Sequence, residues 1–194
     1  QALLKKNNFE VLMTQKKFNN GTERIASVAN KIKADLIIDV HADEAILNPT
    51  NLIKLINFHK KNKQFDIIVP YKKSINPRDK NVVKLVFSTS HKVLYFTRSN
   101  APYPYKKKNF FFHHLDIISF KPKVLKKFKK LKLSSLERIE GIELLRALEN
   151  DFKIGTFEIS TKTFSINTPK DLLLAKKIIK KDGHLKKYFD KVKI

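Results

Sequence analysis

The sequence predicts a layered α/β fold from three features. Amphipathic helix patterns alternate with short apolar runs of four or five residues, which is typical of helices that cover a parallel β-sheet. Hydrophobic residues make up 42% of the 194 residues and charged residues 30%, as in globular rather than disordered chains. No apolar run reaches the roughly 18 uncharged residues that a membrane helix needs, so we expect no membrane span.

The first half of the chain carries the helix–strand alternation. Apolar residues at helical spacing predict helices over residues 22–33 and 51–61. Apolar runs predict buried strands over 36–40 and 66–69, and we expect Pro70 to end the second of them. Strands that alternate with helices in this way favour a parallel sheet.

The second half is predicted to be richer in strands. Residues 82–88 and 93–97 read as paired strands around a turn, and Thr168 with Asp171 forms the capping pattern of a helix start. The other predicted elements are strands over 115–120 and 157–159 and helices over 122–130 and 136–149. No linker or repeat interrupts the chain, so we expect a single domain over residues 1–194.

The chain is strongly basic, with 41 lysines and arginines against 18 acidic residues and a formal net charge of +23. Such a charge invites a nucleic-acid interpretation. Arginine, the residue that most often reads base edges, occurs only five times, and the joint excess of Lys, Asn, Ile and Phe is what an AT-rich coding sequence produces. We therefore expect no nucleic-acid partner, and keep a basic binding protein as the non-enzymatic alternative.

An acidic pair follows the predicted strand 36–40. Ligands of open parallel sheets bind beyond the carboxyl ends of the strands, and this strand runs directly into His41, Asp43 and Glu44. Carboxylate oxygens suit a divalent cation, so the pair is a candidate metal site. A solvated surface loop is the alternative.

Two arginines and a histidine pair are candidate ligands. Arg24 and Arg98 are rare arginines in a lysine-rich chain, and an arginine fork matches carboxylate and phosphate groups. Surface ion pairs are the alternative for both. His113 and His114 begin a predicted strand, so alternation places one of them on each face of the sheet.

Three glutamates recur at every third position of the predicted helix 136–149, at Glu137, Glu140 and Glu143. They form either a solvated stripe or a row of acceptors for sugar hydroxyls.

The sequence lacks the motifs of several other kinds of catalytic or binding site. The sequence contains no cysteine, no zinc-helix spacing, no Gly-x-Ser-x-Gly and no glycine-rich phosphate loop.

Six stretches resemble, in order, motifs of the 3-deoxy-manno-octulosonate (KDO) cytidylyltransferase family, also called CMP-KDO synthetases. They cover nearly the whole chain, and their order makes the resemblance specific. The stretches, with the family motif in parentheses, are 20–24 N-G-T-E-R (S-G-T-E-R), 39–45 D-V-H-A-D-E-A (N-V-Q-G-D-E-P), 83–98 with V-K-L-V and L-Y-F-T-R (V-K-V-V and L-Y-F-S-R), 113–115 H-H-L (R-H-L), 136–146 L-E-R-I-E through L-R (L-E-H-I-E through L-R) and 167–172 N-T-P-K-D-L (D-T-P-E-D-L).

The resemblance implies a nucleotide-diphospho-sugar transferase-like, Rossmann-like α/β fold with a layered mixed sheet and a small β-rich dimerisation section. It implies a cytoplasmic, Mg²⁺-dependent homodimer that makes CMP-KDO and pyrophosphate from CTP and KDO for lipopolysaccharide synthesis. The implied site residues are Asp43 and Arg98 as catalytic residues, Asp43 and Asn167 as metal ligands, Gly21, Thr22, Arg24 and His41 at the nucleotide, and Arg98, His114, Glu137 and Glu140 at the sugar acid.

The sequence also departs from the family. The family's first strand and triphosphate-binding loop have no counterpart in residues 1–194, so we expect these residues alone to be weakly active or inactive. Asn167 stands at a metal-binding aspartate, and an amide oxygen brings no charge to the metal. His41 and Leu144 replace family glutamines, which leaves open a different sugar acid, such as 8-amino-KDO, or a catalytically impaired copy.

Overall fold

A computed structural model describes residues 2–14, 17–44, 46–75, 80–105, 110–160, 166 and 168–182 of the chain. They fall into two compact units. We call residues 18–41 and 49–161 the large unit, and residues 1–17, 42–48 and 162–194 the small unit. Asn167, one of the predicted metal ligands, lies outside the described residues.

The large unit is built on a seven-stranded sheet. The strands are β1 Ile37–Val40, β2 Ile67–Ser74, β3 Lys84–Phe87, β4 Val93–Thr97, β5 Phe111–His114, β6 Ile117–Phe120 and β7 Ile154–Glu158. The helices of the described chain are α1 Ala2–Lys6, α2 Gly21–Val28, α3 Pro49–Lys61, α4 Pro122–Phe128, α5 Ser135–Glu140, α6 Leu144–Glu149 and α7 Pro169–Lys181. None of them is long and apolar enough to cross a membrane.

The sheet is mixed and mostly antiparallel, in the order β1-β6-β2-β5-β3-β4, with β7 paired in parallel to β2. The expectation of a parallel sheet is therefore wrong. The helix between β1 and β2 does connect two strands of the same direction, but β6 lies between them and pairs antiparallel with both. The helical connection between two strands indicates that they run in the same direction. It does not indicate whether another strand lies between them in the sheet.

Strand β2 continues through Pro70, contrary to our expectation. Proline removes only a donor from a strand. The Pro70 carbonyl still accepts a hydrogen bond from the Leu115 amide at 3.0 Å, and β7 pairs with β2 across Pro70. The predicted strand 115–120 is likewise shorter than expected, since β6 begins at Ile117 and a separate β5 ends at His114.

The predicted helix 136–149 is two helices, α5 and α6, separated at Gly141. Gly141 has φ of 63°, in the left-handed region that a residue with a Cβ adopts at a cost, and its amide closes α5 on the Glu137 carbonyl. The predicted row of three glutamates on one helix face is consequently broken, and the three side chains have different surroundings.

Locally encoded elements match the prediction. The β3–β4 hairpin, helix α3 and the capped start of α7 all form where the sequence places them. The Thr168 hydroxyl accepts from the Asp171 amide, and the Asp171 carboxylate accepts from the Thr168 amide. The core of the large unit packs sheet residues such as Phe96 and Phe120 against Phe128 of α4 and Leu145 of α6.

Candidate functional site

A cavity of about 140 Å³ in the large unit gathers several of the predicted ligands. Residues that follow strand ends line one part of it: His41 after β1, Arg98 after β4, and His114 with Asp116 at the β5–β6 junction. The turn between α5 and α6, from Gly141 to Leu144, lines the rest. We call this the β-junction cavity.

The guanidinium of Arg98 is held by backbone oxygens. Nε donates to the Glu140 carbonyl at 2.8 Å, Nη1 to the Lys80 carbonyl at 3.0 Å and Nη2 to the Gly141 carbonyl at 3.3 Å. Among the described residues, Arg98 forms no salt bridge with a carboxylate. Its position is thus fixed by neutral groups, and its positive charge is available to an anion.

Glu140 lies behind Arg98. Its carboxylate accepts from the Arg98 amide at 2.8 Å and from the Thr97 hydroxyl at 2.6 Å. The carboxylate therefore contacts the backbone of Arg98 and leaves the guanidinium to the carbonyl oxygens. This geometry suits a side chain that orients Arg98.

His114 and Asp116 form the acid–base part of the cavity. His114 is 6% exposed, and neither of its ring nitrogens has a hydrogen-bond partner among the described residues. Its Nδ1 lies 3.4 Å from the Asp116 carboxylate, an ion-pair distance without hydrogen-bond alignment. Burial raises the pKa of Asp116, but the His114 and His41 rings outweigh it and bring the pKa to about 2. Asp116 is therefore ionised at neutral pH.

A second pair, His41 and Asp39, lies at the end of β1. His41 Nε2 is 3.7 Å from Asp39 Oδ2, and neither atom has a hydrogen-bond partner among the described residues. Burial raises the pKa of Asp39, and His41 opposes that rise. A Cβ added to Gly21 would come within 4.0 Å of both atoms, so the start of α2 faces this pair. Buried polar atoms without partners are rare in folded proteins, and a ligand is one group that satisfies them.

Glu143, one of the three glutamates predicted to be either solvated or acceptors for sugar hydroxyls, lines the cavity. Its carboxylate accepts from both the amide and the hydroxyl of Thr22. Burial raises the pKa of Glu143, and the two bonds from Thr22 lower it. Thr22, predicted at the nucleotide, thus uses both of its donors inside the protein.

Asp39 and Asp116 were both missed as candidate ligands. A usable signal was present for Asp39, which is the only charged residue of the apolar run 36–40. Asp116 gave no comparable signal, because only the folded chain brings it to the same cavity as Arg98.

Glu137, predicted at the sugar acid, forms a buried ion pair instead. Both carboxylate oxygens accept from the Arg146 guanidinium at 2.6 Å, and Asn20 donates to one of them at 3.1 Å. Arg24, predicted at the nucleotide, has its guanidinium 5.2 Å from the centre of the Phe18 ring. Glu137 and Arg24 are not among the residues that line the β-junction cavity.

Asp43, the first predicted metal ligand, belongs to the small unit. Its carbonyl accepts from the Ile166 amide at 3.0 Å, which places Asp43 beside the residue that precedes Asn167 in the sequence. Across the described ranges, no group of three or more His, Asp or Glu side chains is arranged to hold a metal.

A larger cavity of about 720 Å³ lies elsewhere in the large unit, lined by the C-terminal end of α3, the residues before β1 and the start of α4. Lysines line much of it, and it contains none of the predicted site residues. We take the β-junction cavity as the candidate functional site because it contains His41, Arg98 and His114, which the sequence analysis predicted at the site.

Comparison with known proteins identifies the family. The cytidylyltransferase family model matches residues 1–154. The chain belongs to the cytidylyltransferase family. It is 34% identical to the 3-deoxy-manno-octulosonate cytidylyltransferase of a Nitratiruptor species, over 88% of this chain and 75% of the relative. It is 33% identical to the enzyme of the same name from Thermodesulfovibrio yellowstonii, over 88% of this chain and 73% of the relative.

Solved structures agree with the cytidylyltransferase fold. The chain superimposes with a TM-score of 0.86 on CMP:2-keto-3-deoxy-manno-octonic acid synthetase complexed with CTP, at 25% identity, over 92% of this chain and 75% of that one. The expected nucleotide-diphospho-sugar transferase-like fold with a mixed sheet is thereby confirmed.

Proposed function

We propose that the protein activates KDO by transferring CMP to it from CTP, for lipopolysaccharide synthesis. In this reaction the anomeric hydroxyl oxygen attacks the α-phosphorus, the bond to the β-phosphate breaks, pyrophosphate leaves and the hydroxyl proton is lost. Relatives with this name match most of the chain, and the neighbouring solved structure was determined with CTP. The observation that carries the proposal is an arginine, Arg98, aimed into the β-junction cavity without a carboxylate partner among the described residues.

The β-junction cavity is proposed to bind the sugar acid. The Arg98 guanidinium is placed to pair with the sugar carboxylate, since an arginine fork matches a carboxylate. The ring nitrogens of His114, which have no hydrogen-bond partner among the described residues, suit sugar hydroxyls, and Glu143 is a nearby acceptor. We assign Glu140 to orienting Arg98, so it acts on the sugar site through Arg98, and Glu137 to its buried ion pair with Arg146.

The nucleotide is proposed to approach the start of α2. Gly21 faces Asp39 and His41, and the absence of a Cβ lets a ligand come close to the backbone there. Nε2 of His41, which has no hydrogen-bond partner in the described part of the chain, suits a polar group of the nucleotide. Thr22 uses its donors on Glu143, so we propose that it holds the cavity wall and contributes indirectly. Arg24 is proposed to offer charge to the phosphates.

Mg²⁺ is proposed to be held by Asp43 and Asn167. The donors fit a magnesium ion because both present side-chain oxygens, and Mg²⁺ commonly uses one or two carboxylates together with substrate phosphates. The Ile166–Asp43 hydrogen bond supports the pairing. When bound, the ion offsets the charge of the triphosphate. Asn167 supplies no charge, so we propose a weaker metal affinity than two aspartates would give.

A cytidylyltransferase for a different sugar acid, such as 8-amino-KDO, is the second candidate. One observation favours it: His41 and Leu144, which stand where the family motifs have glutamine, both line the β-junction cavity. Changed side chains in a binding cavity alter which substrate is favoured. The ionised Asp116 carboxylate in the same cavity suits an ammonium group as well as a hydroxyl.

A cytoplasmic homodimer is proposed as the working form. The β-rich section from β3 to β5 leaves large apolar or aromatic side chains exposed, namely Leu94, Tyr103 and Tyr105. An exposed patch of this kind suits a second copy of the chain. Sedimentation of the protein distinguishes a dimer from a monomer.

The test is pyrophosphate release by the full-length protein with CTP, Mg²⁺ and a panel of sugar acids. Release with KDO supports the first proposal, and a much higher kcat/KM with 8-amino-KDO supports the second. No release with any sugar acid would sink both. In that case, tight DNA binding with a steep salt dependence would support the basic binding protein instead.

A further inference from the structure

Lys84 is a buried lysine that the proposed reaction does not use. It lies in β3, within the V-K-L-V stretch, and its relative exposure is 0%. Burying an ammonium group without compensation is costly, so lysine is almost never fully buried unless it has partners. A reason for its presence is therefore expected in its surroundings.

The surroundings of Lys84 are the two strands that carry the sugar-site residues. In the sheet, Lys84 lies opposite Thr97 of β4 and opposite His113 of β5. These two residues directly precede Arg98 and His114. The Val83 carbonyl also accepts from the His114 amide at 2.9 Å. Strand β3 is thus the element that holds the Arg98 strand and the His114 strand at a fixed separation.

The Lys84 ammonium contacts the backbone of Arg98 directly. Nζ donates to the Arg98 carbonyl at 2.8 Å, while Glu140 accepts from the Arg98 amide at 2.8 Å. The buried Lys84 ammonium and the Glu140 carboxylate therefore each form a hydrogen bond with one of the two peptide groups that flank the Arg98 Cα. Hydrogen bonds to charged groups are roughly twice as strong as neutral ones, so these two bonds restrain the backbone of Arg98.

We propose that Lys84 is a positioning residue for the sugar acid, and that its ammonium group fixes the direction in which Arg98 enters the β-junction cavity. The proposal rests on the proposed function, because it requires Arg98 to bind the sugar carboxylate. With the Arg98 backbone fixed by Lys84 and Glu140, hydrogen bonds to backbone carbonyls complete the placement of the guanidinium at the cavity.

A purely structural role predicts a different outcome. Lys84→Met removes one partner of a buried hydrogen bond, so it lowers stability whether or not Lys84 positions Arg98, and stability alone does not distinguish the two roles. Lys84→Met keeps an unbranched side chain that is one heavy atom shorter and removes the donor. If Lys84 only filled the core, this change would leave the affinity for the sugar acid unaltered. If it positions Arg98, the affinity falls while CTP binding is retained.

The experiment measures KM for KDO and for CTP in the full-length protein, with pyrophosphate release as the readout. Misplacing a binding group by about 1 Å costs up to roughly a hundredfold, so we expect Lys84→Met to raise the KDO KM by about ten- to a hundredfold. The CTP KM should change little. Lys92→Met, at an exposed lysine of the same hairpin, is the matched control and should leave both constants unchanged.

A double-mutant cycle with Arg98→Ala separates positioning from general damage. Once Arg98 is truncated, Lys84→Met should have no further effect on the KDO KM, because coupled residues are not additive. An unchanged KDO KM in Lys84→Met, or a full additional loss in the Arg98→Ala background, would overturn the proposal. If Lys84→Met does not fold, Glu140→Gln tests the second of the two hydrogen bonds that restrain the Arg98 backbone. It should raise the KDO KM in the same way. Failure of the wild-type protein to release pyrophosphate would contradict the proposed function itself, which is a distinguishable result.

Discussion

Arg146→Met is expected to destabilise the large unit strongly. Arg146 is 1% exposed, and its guanidinium donates twice to Glu137 at 2.6 Å and lies 2.8 Å from Glu23. The guanidinium also lies 4.7 Å from the centre of the Phe128 ring. Methionine preserves much of the packing and removes every one of the charged contacts.

The size of the stability loss follows from the Glu137 carboxylate that Arg146→Met leaves without its cation. Glu137 is 5% exposed, so its carboxylate would be left buried and without its cation. Breaking a buried ion pair from one side costs about 3–5 kcal/mol. For a chain of this size, each kcal/mol corresponds to roughly 2–4 °C, so we expect Tm to fall by about 6–20 °C.

Urea denaturation followed by circular dichroism measures this loss. Arg138→Met, on the exposed side of α5, is the matched control and should stay within about 0.5 kcal/mol of wild type. Adding Glu137→Gln to Arg146→Met should restore part of the stability, since it removes the uncompensated charge. A loss below about 1 kcal/mol in Arg146→Met, or no recovery in the double variant, would refute the reasoning.

Three further predictions concern the sugar site, the metal and pH. Arg98→Lys keeps the charge but loses the fork, so the KDO KM should rise by about ten- to a hundredfold at an unchanged CTP KM; equal KDO constants in the two proteins would contradict this. Asn167→Asp should lower the Mg²⁺ concentration that gives half-maximal pyrophosphate release, and an unaltered requirement would count against Asn167 as a ligand. Burial and the nearby Lys72 lower the pKa of His113 to about 4, below its unfolded value of about 6.5. The stability that neutral His113 contributes is therefore complete above pH 6.5 and is lost as the pH falls towards 4. The urea concentration at the unfolding midpoint should depend less on pH over that interval in His113→Gln than in the wild type.

Elements with local signals could be predicted from the sequence. The β3–β4 hairpin and the capped start of α7 depend on residues within a few positions of each other, and both form as expected. The path of the sheet could not be predicted in this way. Insertion of β6 between β1 and β2, and continuation of β2 through Pro70, depend on strands distant in the sequence that supply pairing partners.

The candidate site divides along the same line. Motif resemblance singled out Arg98 and His114, and the fold brings both to one cavity. Glu137 was assigned to the sugar acid because a helical repeat of three glutamates suggested one shared face. Gly141 breaks that helix, and Arg146, nine residues after Glu137 on the next helix, takes up the Glu137 carboxylate. A periodic pattern gives the face of a helix only as far as the helix extends.

The most direct test of the proposed function is the products formed from CTP and KDO. The full-length protein, CTP, Mg²⁺ and KDO are incubated together, and phosphorus NMR follows pyrophosphate and the CMP-sugar. We predict that the two products appear in equal amounts, that both require KDO, and that Arg98→Ala strongly reduces both at subsaturating KDO. Absence of pyrophosphate with KDO and with every other sugar acid, at saturating CTP and Mg²⁺, would contradict the assignment of this chain as a KDO-activating cytidylyltransferase.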